Sequence, residues 1–128
     1  MCLATLTADK TTKRIGYKVV YPNSSGGYYT GMCGVGWVDL PVGMYVTDPN
    51  KTPLDGINCS FKYPAGFHIC LNKREANIIQ THEGGVVRKV RFRKSVAVGT
   101  VEWKFSNSQH LTSATIVARE VMLLGEDT

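Results

Sequence analysis

The chain has 128 residues, 43% of them hydrophobic and 20% charged, which excludes intrinsic disorder and gives one domain able to build its core without staples. No apolar run reaches the roughly 20 residues of a membrane span, and MCLATLTADKTTKR at the N-terminus lacks the leading charge and apolar length of a signal peptide, so a cytosolic protein is expected. A net charge of +5 favours anionic partners and leaves open whether these are nucleic acid, nucleotides or phosphorylated ligands.

In chain order, residues 1–13 are polar and Thr-rich and read as a loose lead-in. IGYKVVY at 15–21 reads as a strand, ended by the turn signal PNSSGG. YYTGMCGVGWV at 28–38 resumes extended structure but carries three glycines, the mark of a bulge or a close backbone approach. MYVT at 44–47 is a short strand, and 48–60, with two prolines, is a loop long enough to be functional. FHICL at 67–71 is a short apolar strand. NKREANIIQTH at 72–82 is then the one clear helix: Asn72 is a good N-cap, Glu75 is placed to complete a capping box, Ala76 and Ile79 share a narrow apolar face, and Gly84-Gly85 ends it. A long strand runs from 86 to 94 and continues at 96–103, a polar loop KFSNSQHLTS follows, and a last strand covers 114–124. The expected fold is α+β: a mostly antiparallel sheet of five to seven strands with one short helix packed on it.

The most basic segment, VVRKVRFRKSV at 86–96, holds five of the fifteen Lys and Arg residues. Alternation along a strand puts Lys89, Arg91 and Arg93 on one face and Val86, Arg88, Val90 and Phe92 on the other. The first row is explained by solvation or edge protection, or by phosphate binding, for which arginine's planar fork is suited. Arg88 is the anomaly, a cation on the apolar side. The C-terminal strand has another, because either Arg119 or Glu120 must face apolar neighbours there. A buried guanidinium needs an acid, a route to solvent or an anionic ligand, and all three stay open at this point.

Other motifs exclude more than they assign. Gly31, Gly34 and Gly36 do not have dinucleotide-fold spacing, and no capped helix follows them. Tyr63, Phe67 and His68 surround a Pro-Ala-Gly turn, where aromatics near a basic strand would stack on a base or simply pack in the core. His68 titrates near neutrality but has no evident catalytic partner in His82 or His110, and His110-Leu111-Thr112 is a single near match to a phosphoesterase pair. Cys2, Cys33, Cys59 and Cys70 form no CxxC pair and read as reduced core thiols; His68 and Cys70 alone do not make a metal site. No cofactor motif is present.

YPAGFHICLNKREA, then VVRKVRFRKSVAVGT, then TIVAREVMLL, spanning residues 60–124, resembles a pattern found in small phage-encoded proteins, and the family it is most similar to is the anti-Thoeris sponge of the first type. The resemblance implies a cytoplasmic protein of the infected bacterium that sequesters a cyclic ADP-ribose isomer or a cyclic oligonucleotide without cleaving it. It also implies a homo-oligomer in which arginines hold phosphates and aromatics stack on adenine. The residues expected to hold the ligand are Arg119, Arg88, Arg91, Arg93, Phe67 and His68. An inhibitor that binds nucleic acid or a host protein through the basic face is the alternative, followed by a small enzyme acting on nucleotides or phosphoesters.

Overall fold

The computed structural model describes residues 3–8, 10–24, 26–30, 38–56 and 61–125. Along the chain come β1 (Thr5–Ala8), β2 (Ile15–Pro22), β3 (Tyr28–Thr30), β4 (Asp39–Leu40), β5 (Val46–Thr47), β6 (Leu54–Asp55), β7 (Lys62–Tyr63), β8 (Phe67–Cys70), α1 (Lys73–Glu83), β9 (Val86–Lys104) and β10 (His110–Leu123). The architecture is α+β. An antiparallel sheet of eight strands carries the single helix, and β6 and β7 form a separate hairpin. The five to seven strands marked out by the sequence are joined by two-residue strands too short to leave a periodic signal.

β9 is the spine. One edge pairs with β10 from Val90↔Leu123 to Lys104↔His110. Its other edge serves two strands in turn, β2 along Val86–Arg91 and β1 along Val98–Thr100. β10 takes β8 on its far edge, and β8 meets β2 at Cys70↔Tyr17. Strands β2, β9, β10 and β8 therefore close a circuit of pairing. Their crossing is tight at Gly16, where a Cβ would run into the Ile69 side chain and the Cys70 carbonyl.

Closure requires β9 to turn, and it does so at residues 94–96. Lys94 has φ +59, and Val96 is an extra residue, because Ala118 pairs Ser95 while Val117 pairs Ala97. The strand serves two cores. The larger core contains Val20, Phe67, Ile69, Val90, Phe92, Ile116 and Leu123; the smaller contains Leu3, Tyr63, Ala97, Val101 and Val117.

The helix spans Lys73–Glu83 with Asn72 Oδ1 accepting from the Arg74 and Glu75 amides, and Ala76 and Ile79 are its buried residues, as the sequence predicts. The capping box is a correction. The Glu75 carboxylate reaches across to the sheet and accepts from the Ala114 amide, so this residue ties the helix to β10. At the other end of the helix His82 stacks on Phe105 of the β9–β10 turn, 4.0 Å between rings.

Residues 1–13 contain a second correction, since Thr5–Ala8 form an edge strand on β9. This strand lies so close that a Cβ on Gly99 would meet the Thr5 carbonyl oxygen. Gly99→Ala is expected to cost about 1–3 kcal/mol in urea unfolding and to speed hydrogen exchange at the Ala4 amide, which bonds Thr100 O. Unchanged exchange there would show that β1 does not depend on this approach.

Candidate functional site

Arg119 and Glu120 occupy the break in β10. The larger core takes Ile116 and Ala118, then Val121 and Leu123, a step of three residues where alternation would give two. Both charged residues leave the core at that step, and each finds its own partners. Arg119 Nη1 donates to the carbonyls of Asn50 (2.7 Å) and Ala65 (2.8 Å), and Nη2 donates to Asp48 O (2.6 Å), with Asp48 Oδ2 at 3.9 Å. Its fork is thus a strut that fixes the 48–50 loop against the Pro-Ala-Gly turn, not an open phosphate ligand. Glu120 accepts from Arg93 Nε and Thr47 Oγ1, with Lys94 Nζ at 3.5 Å. The Arg93 hydrogen bond, ahead of the smaller help from Thr47, holds the Glu120 carboxyl below the ordinary value.

The basic row of β9 therefore divides. Arg93 is taken by Glu120 and stacks on Tyr45, 3.7 Å from the ring centroid. Arg91 is exposed between Ile15 and Met122. Lys89 is half-buried opposite Tyr17. Arg88 is 8% exposed. It donates to Tyr28 Oη and to Leu124 O, each at 2.6 Å, with its guanidinium 4.8 Å from the Tyr28 ring centroid. It joins the start of β3 to the end of β10.

Around Arg88 lies a groove of about 420 Å³, within the range of small-molecule sites. Its cations are Arg88, Lys89 and Lys73; Tyr17, Tyr28, Val86 and Val87 supply flat and apolar walls, and no carboxylate is among the described residues that line it. Lys73, Tyr17 and Tyr28 are residues that sequence reasoning missed, and Lys89 was seen only as part of the basic row. Lys73 carried a signal, since a lysine in the first turn of a helix opposes the macrodipole, where an acid is favoured. A second hollow of about 410 Å³ lies beside Arg119. Of its three cations, Arg119 is engaged and Lys62 faces Asp55 at 3.9 Å, which leaves Lys51.

Phe67 and His68 are not part of the groove. Phe67 is 4% exposed in the larger core, so its faces are not open to a base. His68, also 4% exposed, sets Nε2 at 3.0 Å from Tyr63 Oη, which accepts from the Leu3 amide. Burial first, then the nearby Lys18 charge, lower its pKa to about 3, so the ring is neutral at physiological pH. Cys70 is half-buried, with its thiol pushed up to about 11, chiefly by burial. Cys2, Cys33, Cys59 and the glycines 31, 34 and 36 lie outside the described residues. Among the described residues no helix is long and apolar enough to cross a membrane. Comparison with protein-family models, curated proteins and solved structures finds no match.

Two outcomes follow from this geometry. Arg119→Ala leaves carbonyls of three loop residues without their donor and is expected to lose about 2–3 kcal/mol in urea unfolding, against under about 0.5 kcal/mol for Lys89→Ala; equal small losses would contradict the strut. His68 gives an acid-linked loss of stability. Its folded pKa lies below the unfolded value, so the unfolded state takes up the proton first and stability falls as pH drops below about 6.5. From pH 7 to pH 5 the His68 contribution to this loss is about 2 kcal/mol. His68→Gln should flatten that slope in denaturation measured across the interval, and an unchanged slope would assign it elsewhere.

Proposed function

We propose that this protein is a non-enzymatic binder of an anionic, nucleotide-derived small molecule, held in the groove around Arg88. The observation that carries the reading is the lining: Lys73, Arg88 and Lys89 converge beside Tyr17 and Tyr28, with no carboxylate among the described lining residues. Arg88 contributes fixed positive charge, since its hydrogen bonds to Tyr28 and Leu124 hold it in place. Lys73 and Lys89 form no ion pair with a described residue, so their ammonium groups are free to meet phosphate oxygens as point charges. The tyrosine rings and Val86–Val87 offer the surface on which a base or ribose rests. Charge and flat surface without a nucleophile–base pair support retention over conversion. In the finer form, the ligand is a nucleotide immune signal such as a cyclic ADP-ribose isomer or a cyclic oligonucleotide, and the protein is a phage sponge acting in the host cytoplasm as a homo-oligomer.

Calorimetric titration with ADP-ribose, cyclic ADP-ribose, a cyclic dinucleotide and a single-stranded oligonucleotide tests this. One of the small ligands is expected to bind, with Lys89→Ala and Lys73→Ala each weakening it by about tenfold. Its affinity should fall with salt by no more than the slope of two or three phosphate contacts. Binding of the oligonucleotide alone, with a steeper slope, would move the function to nucleic acid.

A further inference from the structure

A separate cavity of about 40 Å³ lies between α1 and the sheet, lined by Lys18, His68, Cys70, Trp103, Ser113 and Thr115 among others. We propose that this cavity is a binding site for a small monovalent inorganic anion of halide or nitrate size. A volume of 40 Å³ exceeds the roughly 10–15 Å³ needed for one water, and it is too small for a nucleotide.

Lys18 is 6% exposed. Of its three ammonium hydrogens, one goes to His68 O at 2.9 Å. Its other contact is distant, with Nζ 6.0 Å from the Phe67 ring centroid. No described carboxylate forms an ion pair with it. The nearest acid on the helix, Glu75, is held by the Ala114 amide and does not line the cavity. Lys18 also stands directly across the β2–β9 pair from Arg88, and like charges in that position repel. A buried ammonium beside a second cation needs a counter-charge.

The other described lining groups add no negative charge. His68 is neutral and its buried Nδ1 has no hydrogen-bond partner. The Cys70 thiol stays protonated because burial raises its pKa to about 11. Thr115 Oγ1 donates to Ser113 O, and Trp103 Nε1 donates to Ser113 Oγ, so the hydroxyls are oriented by the protein itself. A cavity whose described lining holds one ammonium, with a single hydrogen bond to His68 O, and no acid suits an anion, and its size limits that anion to a few atoms.

The test uses the whole chain in gluconate buffer with bromide added at constant ionic strength. The melting temperature is expected to rise by roughly 4–8 °C per tenfold increase in bromide above saturation. Lys18→Met, which keeps the apolar stem and removes the charge, should fold and lose that rise, whereas Lys73→Ala and Lys89→Ala should keep it. Crystals grown in bromide should show an anomalous peak within hydrogen-bond reach of Lys18 Nζ. A bromide response equal in the wild type and Lys18→Met, or no peak in the cavity, would overturn the proposal. Failure of nucleotide binding in the groove would leave this test unaffected, since among the described residues Tyr17 alone lines both sites.

Discussion

Lys94 adopts a left-handed backbone conformation in the middle of a 19-residue strand, and two residues later Val96 is unpaired on β10. Val90, Phe92 and Val98 face the larger core, and Ala97 and Val101 face the smaller one on the opposite side. Between these stretches the irregularity redirects β9. It frees the first half of β9 to pair with β2 and the second half to pair with β1, and this lets β2, β9, β10 and β8 close on one another. The same break displaces Arg119 and Glu120 from the core, so each charge is available for a tie to a different loop.

The charges of this chain consequently do two kinds of work. Those at the break are structural: Arg119 gathers carbonyls from two loops, and Glu120 gathers Arg93 and Thr47. Those at the β2–β9 pair, Lys18 and Arg88, are buried across from each other and face two different hollows. Burying cations is expensive without compensation. Arg88 is compensated by a tyrosine hydroxyl, a ring face and a carbonyl at the end of β10. Together with Lys73 and Lys89 it places three cations on the groove. That concentration of charge is the physical basis for an anionic ligand.

Local physics was legible in the sequence and long-range physics was not. The helix could be read to within a residue, because Asn72, the Ala76–Ile79 face and Gly84 act within a few positions of one another. Glu75 could be seen as a first-turn acid, yet its partner Ala114 is 39 residues away. Arg88 and Arg119 stood out as breaks in alternation. The fate of each was hidden, because carbonyl partners at 48, 50, 65 and 124 have no side-chain signature. Period-two reasoning failed in β10, where Ile116 and Ala118 share a core with Val121 and Leu123 across the step at Arg119 and Glu120. The groove was half visible: Arg88 and Lys89 belong to the obvious basic segment, while Tyr17 and Lys73 are brought to it only by the β2–β9 pairing and the position of α1.

The central claim is that the groove retains an intact anionic ligand. Its most direct test is the mass spectrum of small molecules released on denaturing protein isolated at low salt from cells producing nucleotide immune signals. The account predicts a phosphate-bearing nucleotide, chemically unchanged and close to one per site. Release of a converted product, or of nucleic acid fragments alone, would contradict it.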